Sequence, residues 1–333
     1  MIRWGTPSSK RFCLAASSLI TLVLLGAFYS RQARTHAPAW NIVSKDLDWS
    51  KFAYVQYVTN SDYLCNSVML FETLDRLGSR ADRVMLYPES FPSSDDDARL
   101  LIKAQVDYKV RLQPVQIQHR AGSDATWEDS FTKLLAFNQT DYSRVLSLDS
   151  DATVLKAMDE LFLLPPSPVA MPRAYWLYPD KQMLTSTVML VQPSVFEFER
   201  VADEIAHASG STYDMEIANK LYGDQAMVLP HRPYVLLTAE FRSANHSRYL
   251  GPSGRHEKWD PDAVLDEARY LHFSDWPVPK PWVESRQADK VRDEMQPRCW
   301  VRDGVEDCRE RELWHGFYAD FAARRRVGST LGL

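Results

Sequence analysis

The stretch that decides the fold is Arg144-Val145-Leu146-Ser147-Leu148-Asp149-Ser150-Asp151. Residues 144–148 form a short apolar run that is typical of a buried strand, and two aspartates follow it directly. Residues i and i+2 of an extended chain point the same way, so the two carboxylates are expected side by side. Such charges repel unless a cation lies between them. The segment therefore predicts a site for a hard divalent cation, which takes oxygen ligands and binds diphosphate; Mn²⁺ also accepts a histidine.

The same Asp-x-Asp pattern also occurs at 46/48, 95/97 and 260/262, so the pattern alone says little. The pairs at 95/97 and 260/262 each begin a predicted helix, where carboxylates accept from free N–H groups and complement the dipole. The pair at 46/48 lies in a segment without periodicity. Only Asp149 and Asp151 end a buried strand. The alternative for them is an exposed pair in a turn.

Strands and helices alternate on the N-terminal side of this segment. That order is typical of an α/β domain with a mostly parallel sheet. Ligands bind beyond the carboxyl ends of the strands in such sheets, so the loop at 59–63 is expected to meet a nucleotide. Neither a Gly-x-Gly-x-x-Gly nor a Walker loop is present. The predicted order is strand 53–58, a helix ending at Gly78, strand 83–87, helix 98–106 and a strand from about Lys109.

Composition and charge limit the function classes. The 333 residues are 45% hydrophobic and 25% charged, which is ordinary for a globular protein that buries a core. The net charge of −5 offers no general attraction to nucleic acid, so that class of partner is not expected. A last helix is predicted over 309–325, with apolar residues from Leu313 to Phe321 on one side that pack back on the domain.

The N-terminus predicts a membrane anchor. Residues 12–30 carry no charge, and as a helix they span about 28 Å, close to the thickness of a secretory-pathway bilayer. The alternative is a cleaved signal peptide, whose apolar core is usually ~7–15 residues. Basic residues before the span favour a type II orientation with the tail cytosolic and the body in the lumen. The predicted parts are a cytosolic tail 1–11, a transmembrane signal anchor 12–30, a stem 31–50, a catalytic domain 51–298 and a C-terminal helical extension 299–333.

Two further patterns agree with a luminal body. Asn138 and Asn245 each begin an Asn-x-Ser/Thr tripeptide and are predicted N-glycosylation acceptors. Cys299 and Cys308 bracket a polar loop and could form a disulfide in an oxidising lumen, the alternative being two free thiols. Cys65 is then a buried thiol.

Five blocks, in order, resemble the glycogenin-like transferases of glycosyltransferase family 8. The block from Thr132 to Asp151 resembles that family's Lys-Leu helix, Tyr-Ser turn, strand and Asp-x-Asp. The resemblance covers roughly residues 52–282 and implies a single GT-A domain, with a Rossmann-like mixed, mostly parallel sheet. It also implies transfer of a sugar from a UDP-sugar donor with retention of the anomeric configuration. The other blocks are 53–63, 185–194, 223–226, and His272-Phe273 followed by Lys280-Pro281-Trp282.

The resemblance implies a metal site and a set of nucleotide-sugar contacts. Asp149, Asp151 and His272 are implied to hold the metal, although a histidine at such a place is otherwise most often a core residue. Lys133 is implied to meet the phosphates or the donor sugar, its alternative being a surface lysine. The remaining implied contacts to the nucleotide sugar are Tyr57, Thr59, Asn60, Tyr63, Ser150, Thr185 and Lys280.

The implied catalytic residues are Asp224, Gln225 and Lys280. Lys280 is implied to stabilise the leaving UDP, where negative charge grows as the glycosidic bond breaks. Asp224 and Gln225 are implied to lie beside the donor sugar and the reacting carbon; the alternative is an ordinary helix N-terminus. We predict front-face attack, with the β-phosphate accepting the proton of the acceptor. A covalent intermediate on Asp224 is the other route.

The sequence departs from the family pattern in two places. Thr185 and Thr187 stand where Asn and Gly are usual, which leaves the donor preference open. The segment 274–279 is two residues longer than in glycogenin and lacks its glycine, so backbone contacts to phosphate can differ.

The ending from His272 to Trp282 looks like the fungal Golgi N-acetylglucosaminyltransferase branch, also called glucose N-acetyltransferase. That branch implies UDP-GlcNAc as donor, a mannose-bearing glycan as acceptor, and Mn²⁺. The alternatives are a UDP-glucose or UDP-galactose transferase and a catalytically silent sugar-binding protein. A glycoside hydrolase ranks last, because carboxylates at i and i+2 face one side instead of flanking a bond.

Overall fold

The computed structural model describes residues 47–118, 129–209, 212–251, 257–302 and 304–330. The described residues form twelve strands. These are β1 (Phe52–Tyr57), β2 (Asp82–Pro88), β3 (Val110–Val115), β4 (Arg144–Leu148), β5 (Ala152–Val154), β6 (Val169–Pro172), β7 (Val188–Val191), β8 (Met227–Leu229), β9 (Leu236–Leu237), β10 (Tyr270–His272), β11 (Trp300–Arg302) and β12 (Val305–Asp307).

Seven strands form the central sheet, in the order β3-β2-β1-β4-β7-β6-β8. Strand β7 is antiparallel to both of its neighbours, β4 and β6, whereas the other neighbouring pairs are parallel. The predicted α/β class with a mixed, mostly parallel sheet is therefore confirmed. A second sheet has the order β5-β10-β9, and β11 pairs with β12 in a hairpin.

The longer helices connect or cover these strands. They are α1 (Ser61–Arg76), α2 (Asp95–Tyr108), α3 (Val195–His207), α4 (Asp214–Tyr222), α5 (Pro261–Glu267), α6 (Arg286–Met295) and α7 (Arg309–Thr330). Shorter helical turns lie at His231–Tyr234 and Ser247–Leu250, and 3-10 turns at Trp49–Lys51, Ser130–Asn138, Asp159–Leu163 and Thr238–Arg242.

Side-chain caps set where several helices begin. The Asn60 side chain accepts from the backbone N–H of Tyr63 and starts α1. Ser94 caps α2, so the helix begins three residues before the predicted 98 and takes the aspartates 95–97 into its first turn. Asp260 caps α5 by accepting from two backbone N–H groups. The predicted capping role is thus confirmed for Asp260, whereas at 95/97 the cap is Ser94 and the aspartates lie in the first turn of the helix.

The order of the strands creates a crevice between β1 and β4. These neighbours run parallel, but the chain continues from β1 toward one edge of the sheet and from β4 toward the other. Loops that follow such strands diverge, and the space between them is where ligands bind in this class of fold. The loop after β1 and residues 149–151 after β4 therefore face the same crevice.

Residues 149–151 are also the link between the two sheets. Three residues separate the end of β4 from the start of β5, and β5 pairs antiparallel with β10. The register places His272 opposite Ala152, one residue beyond Asp151. A histidine 121 residues further along the chain is thereby brought beside the two aspartates.

The last helix packs against the body of the protein, as predicted from its apolar side. Trp314, Tyr318 and Phe321 of α7 are buried and belong to the larger apolar core, which also contains residues of α1. Phe321 and Tyr318 each contact Phe273 edge-on. The described residues from Trp49 onward form one compact unit.

Several predictions concern the ends and surface of the chain. Outside the described residues lie the predicted tail 1–11, the anchor 12–30 and most of the stem. No helix of the described residues is long and apolar enough to cross a bilayer. Asn138 and Asn245 are exposed. Cys299 and Cys308 are joined by a disulfide beside the β11–β12 hairpin, and Cys65 is a buried free thiol.

Candidate active site

Three predicted metal ligands come together at the start of β5 and the end of β10. Asp149, Asp151 and His272 each offer one ligand atom, and these atoms all lie within 4.8 Å of one another. His272 Nε2 lies 3.1 Å from Asp151 Oδ1 and 3.9 Å from Asp149 Oδ2. Two carboxylate oxygens and one imidazole nitrogen are a donor set that suits Mn²⁺. The residues present therefore fit a divalent cation.

Neighbouring hydroxyl groups hold the first aspartate in place. The Tyr270 hydroxyl donates to the backbone oxygen of Asp149 at 2.7 Å, and the Tyr57 hydroxyl donates to its Oδ1 at 3.3 Å. Both tyrosines lie on strands, β10 and β1, that flank the crevice. Groups that orient a ligand in this way reduce the reorganisation needed when a cation binds.

Two lysines lie on either side of the carboxylate pair. Lys280 Nζ is 2.7 Å from Asp151 Oδ2 and also donates to the backbone oxygen of Phe273. Lys133 is buried, and its Nζ lies 2.6 Å from Asp149 Oδ1 and 2.9 Å from Asp214 Oδ2. Negative and positive side chains therefore alternate in the site. A bound dianion could replace a carboxylate as the ion-pair partner of either lysine.

The surroundings shift the pKa values of the two aspartates in opposite directions. Burial raises the pKa of Asp149, and the nearby Lys133 ammonium only partly offsets this. Burial also acts on Asp151, but Lys280 and His272 outweigh it and hold the pKa of this carboxyl well below its usual range. Asp149 is thus the carboxylate that gains most from another positive charge. A cation between the two supplies it.

Asp214 is a third buried carboxylate at the same pocket. It accepts from the Ser186 hydroxyl at 2.7 Å and from Lys133 at 2.9 Å. Although burial raises the pKa of Asp214, Lys133 and Ser186 more than compensate, so the pKa is lowered and the group is ionised. Burial likewise disfavours the charged Lys133, but Asp149 and Asp214 raise its pKa. Each partner of the buried pair therefore favours the charged form of the other.

These groups line a pocket of about 220 Å³. The loop after β1 forms one side, the metal-ligand candidates form the floor, and residues from the segment before β7 and from the start of α4 form the other side. The lining includes Tyr57, Thr59, Tyr63, Lys133, Asp149, Asp151, Trp176, Thr185, Ser186, Thr187, Tyr213, Asp214, Met215, Glu216, His272, Ser274 and Lys280. Most of the predicted nucleotide-sugar contacts are thus brought into one cavity.

Two of the predicted contacts lie outside the lining. Asn60 caps α1 through the backbone of Tyr63, so it shapes the loop and does not face the cavity. Ser150 is buried between the two aspartates, which point to the other side of the chain.

The structure does not bring Asp224 and Gln225 to the pocket. Both are exposed and lie after the end of α4, whereas Asp214 at the start of that helix faces the cavity. A helix rises 1.5 Å per residue, so the two ends of α4 are about 12 Å apart. Of this helix, Asp214 lines the pocket, whereas Asp224 and Gln225 are not among its lining residues.

Sequence reasoning missed Asp214, together with Ser186 and Trp176. The signal for Asp214 was an aspartate at the first position of a helix, which is also what an ordinary capping residue looks like. Its distinguishing feature is the contact with Lys133, 81 residues away along the chain. Only the folded arrangement shows that contact.

Comparison with known proteins gives relatives and a shared fold. The chain is 56% identical over 86% of its length to glucose N-acetyltransferase 1 of Gibberella zeae, and it spans 64% of that relative. It is 46% identical over 92% of its length to glucose N-acetyltransferase 1 of Aspergillus fumigatus, and it spans 84% of that relative. No protein-family model matches the chain.

Two solved structures share the fold. The bifunctional glycosyltransferase WbbM superposes with a TM-score of 0.55 at 15% identity, over 84% of this chain and 50% of WbbM. The galactosyltransferase LgtC, solved with donor and acceptor sugar analogs, superposes with a TM-score of 0.50 at 12% identity, over 73% of this chain and 94% of LgtC. At these identities the likeness establishes the GT-A glycosyltransferase fold.

Proposed function

We infer the function from the premise that this chain belongs to the glucose N-acetyltransferase 1 family and is a glycosyltransferase. We propose that it transfers N-acetylglucosamine from UDP-GlcNAc to a mannose-bearing glycan, with retention of configuration and with Mn²⁺ bound. We further propose that it works in the Golgi lumen, anchored by residues 12–30. The names of the relatives support the sugar, and the site supports the metal.

The observation that carries the proposal is the cluster of Asp149, Asp151 and His272 on the floor of the pocket. It lies where the loops after β1 and β4 diverge, and Lys280 stands directly beside it. A sugar-binding protein without catalysis has no need to gather two buried carboxylates, an imidazole and an ammonium group. Such a set is suited to the diphosphate of a nucleotide sugar.

The residues divide the work of transfer between the two ends of the pocket. When bound, the cation neutralises the diphosphate and favours its departure. Lys280 is placed to donate to the leaving phosphate oxygens as charge develops there. Asp214 and Thr185 lie on the opposite side, and we assign them to the hydroxyl groups of the donor sugar. Tyr57 and Tyr63 supply aromatic surface at the side formed by the loop after β1.

We propose front-face attack, in which the β-phosphate takes the proton of the acceptor hydroxyl. Asp214 is then an orienting group. Its carboxylate already accepts from Lys133 and Ser186, so both partners hold it in one position. Mass spectrometry of the enzyme quenched during turnover checks this: a glycosyl adduct on Asp214 would contradict the front-face route.

The decisive experiment is release of UDP from a panel of donors by the purified protein. We expect release from UDP-GlcNAc with a mannose-terminated acceptor, loss of release with a chelator, and recovery with Mn²⁺. Faster release from UDP-glucose or UDP-galactose would overturn the assignment of the sugar. Equal activity with and without the chelator would overturn the assignment of the metal.

The exposed Asn138 and Asn245 give a test of the compartment. We expect both to carry N-glycans when the full chain is expressed in fungal cells, since sequons that reach the lumen are modified. Peptide N-glycosidase should increase the gel mobility, and the N138Q/N245Q variant should migrate like the digested protein. Identical mobility of wild type and variant before digestion would argue against a luminal body.

A further inference from the structure

The last helix holds the segment that begins α1. Arg325 of α7 donates to the backbone oxygen of Asp62 at 2.8 Å and to its Oδ1 at 2.7 Å, and it also bonds Asn66 Oδ1. The Arg325 side chain is 17% exposed and the Asp62 side chain 58%, so the guanidinium is shielded from water while its bonds to Asp62 lie at the surface. All three of the contacted groups lie in the first two turns of α1.

That first turn carries Tyr63, which lines the pocket. Asp62 is its neighbour in the chain, and the ring of Trp282 packs edge-on against Tyr63 with centroids 5.6 Å apart. The Arg325 guanidinium lies 5.6 Å from the centroid of the same Trp282 ring. Arg325 therefore touches both the chain neighbour and the packing partner of Tyr63.

Helix electrostatics do not account for this placement. The N-terminus of a helix is its positive end, so a cation there is unfavourable unless an acidic group balances it. Asp62 supplies the balance, and the bonds to its backbone oxygen and to Asn66 fix the position of the turn. The turn is also held by the Asn60 cap, which is exposed to solvent, and by the fully buried Leu64. Arg325 adds to these the bonds that fix Asp62 and the contact with Trp282, the residues on either side of Tyr63.

We propose that Arg325 is a positioning residue for the nucleotide: through Asp62 and Trp282 it holds Tyr63 against the base of a uridine diphosphate. The inference rests on the proposed function, since it concerns the same pocket. The C-terminal helix thereby affects how tightly the base of the donor is bound, which the metal site does not.

Arg324, the preceding residue, is a matched control. It also joins α7 to α1, with contacts to the backbone oxygen of Met69 at 3.0 Å, Glu72 Oε2 at 2.8 Å and Thr73 Oγ1 at 2.6 Å. These partners lie one to two turns further along α1, away from the pocket. Arg324→Ala removes as many contacts between the two helices as Arg325→Ala without touching the first turn.

The test compares two probes by titration calorimetry in the presence of Mn²⁺. We expect Arg325→Ala to weaken UDP binding on the order of tenfold, the factor that corresponds to 1.4 kcal/mol, and to leave inorganic pyrophosphate binding unchanged. Pyrophosphate lacks the base, so it reports on the metal and phosphate end only. In turnover, KM for the donor should rise by the same factor with kcat unchanged, as for an interaction made equally in ground and transition states.

The controls separate the ways in which the inference can fail. Arg324→Ala should lower the melting temperature but keep wild-type UDP affinity, and Arg325→Lys should recover part of the affinity because an ammonium can still pair with Asp62. Equal losses for UDP and pyrophosphate, or equal losses of UDP affinity in both alanine variants, would overturn the inference. If Arg325→Ala does not fold, unchanged affinity in Arg325→Lys and Arg325→Gln overturns it. A wild-type protein that binds no uridine nucleotide contradicts the proposed function itself.

Discussion

Two Asp-x-Asp pairs of the same chain have opposite surroundings. Asp149 and Asp151 follow a buried strand and face an imidazole and two lysines at the floor of a pocket. Asp95 and Asp97 lie in the first turn of α2, where Asp97 accepts from the backbone and the hydroxyl of Ser93. Donors from Ser93 stabilise Asp97, whereas Asp149 and Asp151 lie at a pocket that leaves room for a ligand.

The pKa directions express the same difference. Burial raises the pKa of Asp97, but hydrogen bonds from Ser93 and Ser61 outweigh it, so the pKa is lowered. The pKa of Asp149 is raised. The protein stabilises the charged form of Asp97 by itself, whereas Asp149 gains from a further positive charge. Position in the fold, and not the motif, separates a binding site from a cap.

The largest expected effect comes from removing the charges of the strand-end pair; the same change in the helix pair is the comparison. Asp149→Asn with Asp151→Asn should reduce kcat/KM by about 10³-fold or more, since the developing charge on the leaving group loses its cation. Asp95→Asn with Asp97→Asn should keep kcat at saturating donor. UDP release measures both, and circular dichroism verifies that each variant is folded. Comparable losses of kcat in the two double variants would remove the distinction.

A third aspartate sharpens the comparison. Asp214 begins a helix, as Asp95 does, but its partners are Lys133 and Ser186 in the pocket. We expect Asp214→Asn to lower kcat by about 10²-fold, because groups that orient the donor sugar act on the reacting carbon. Asp224→Asn, at the exposed end of α4, should have wild-type kinetics. The reverse ranking would restore the assignment made from the sequence.

The smallest expected effect is on stability. Because the pKa of Asp97 is lower in the folded state, its contribution is fully present above the unfolded-state pKa of about 4 and is lost as pH falls through the folded-state pKa. Asp97→Asn should therefore reduce the free energy of unfolding by about 1–2 kcal/mol at pH 7. Urea unfolding from pH 7 to pH 3 should show the gap to wild type closing. A constant gap would argue against this account.

The sequence predicted what depends on local patterns. Strand β4 has the predicted bounds, because an apolar run ended by charged residues is visible in the chain itself. The caps at 94 and 260 and the apolar side of α7 are equally local. His272 was reached through the resemblance of its motif, and the register of β10 with β5 supplies the physical reason for its place.

The parts that were missed depend on pairing between distant segments. Asp214 is distinguished from a helix cap by Lys133 and Ser186, and no spacing rule connects these residues. Asp224 was chosen because Gly223-Asp224-Gln225 carries the expected letters, although the helix that meets the pocket begins ten residues earlier. The residues around Lys133 form a 3-10 turn at Ser130–Asn138, which apolar periodicity does not separate from an α-helix.

The contact between Arg325 and Asp62 spans 263 residues. A nascent chain that has emerged as far as β10 already holds the sheet, both strand-end aspartates and the histidine, yet the helix that braces the opposite wall is still to be translated. The metal-ligand candidates are thus translated before the helix that contacts the first turn of α1.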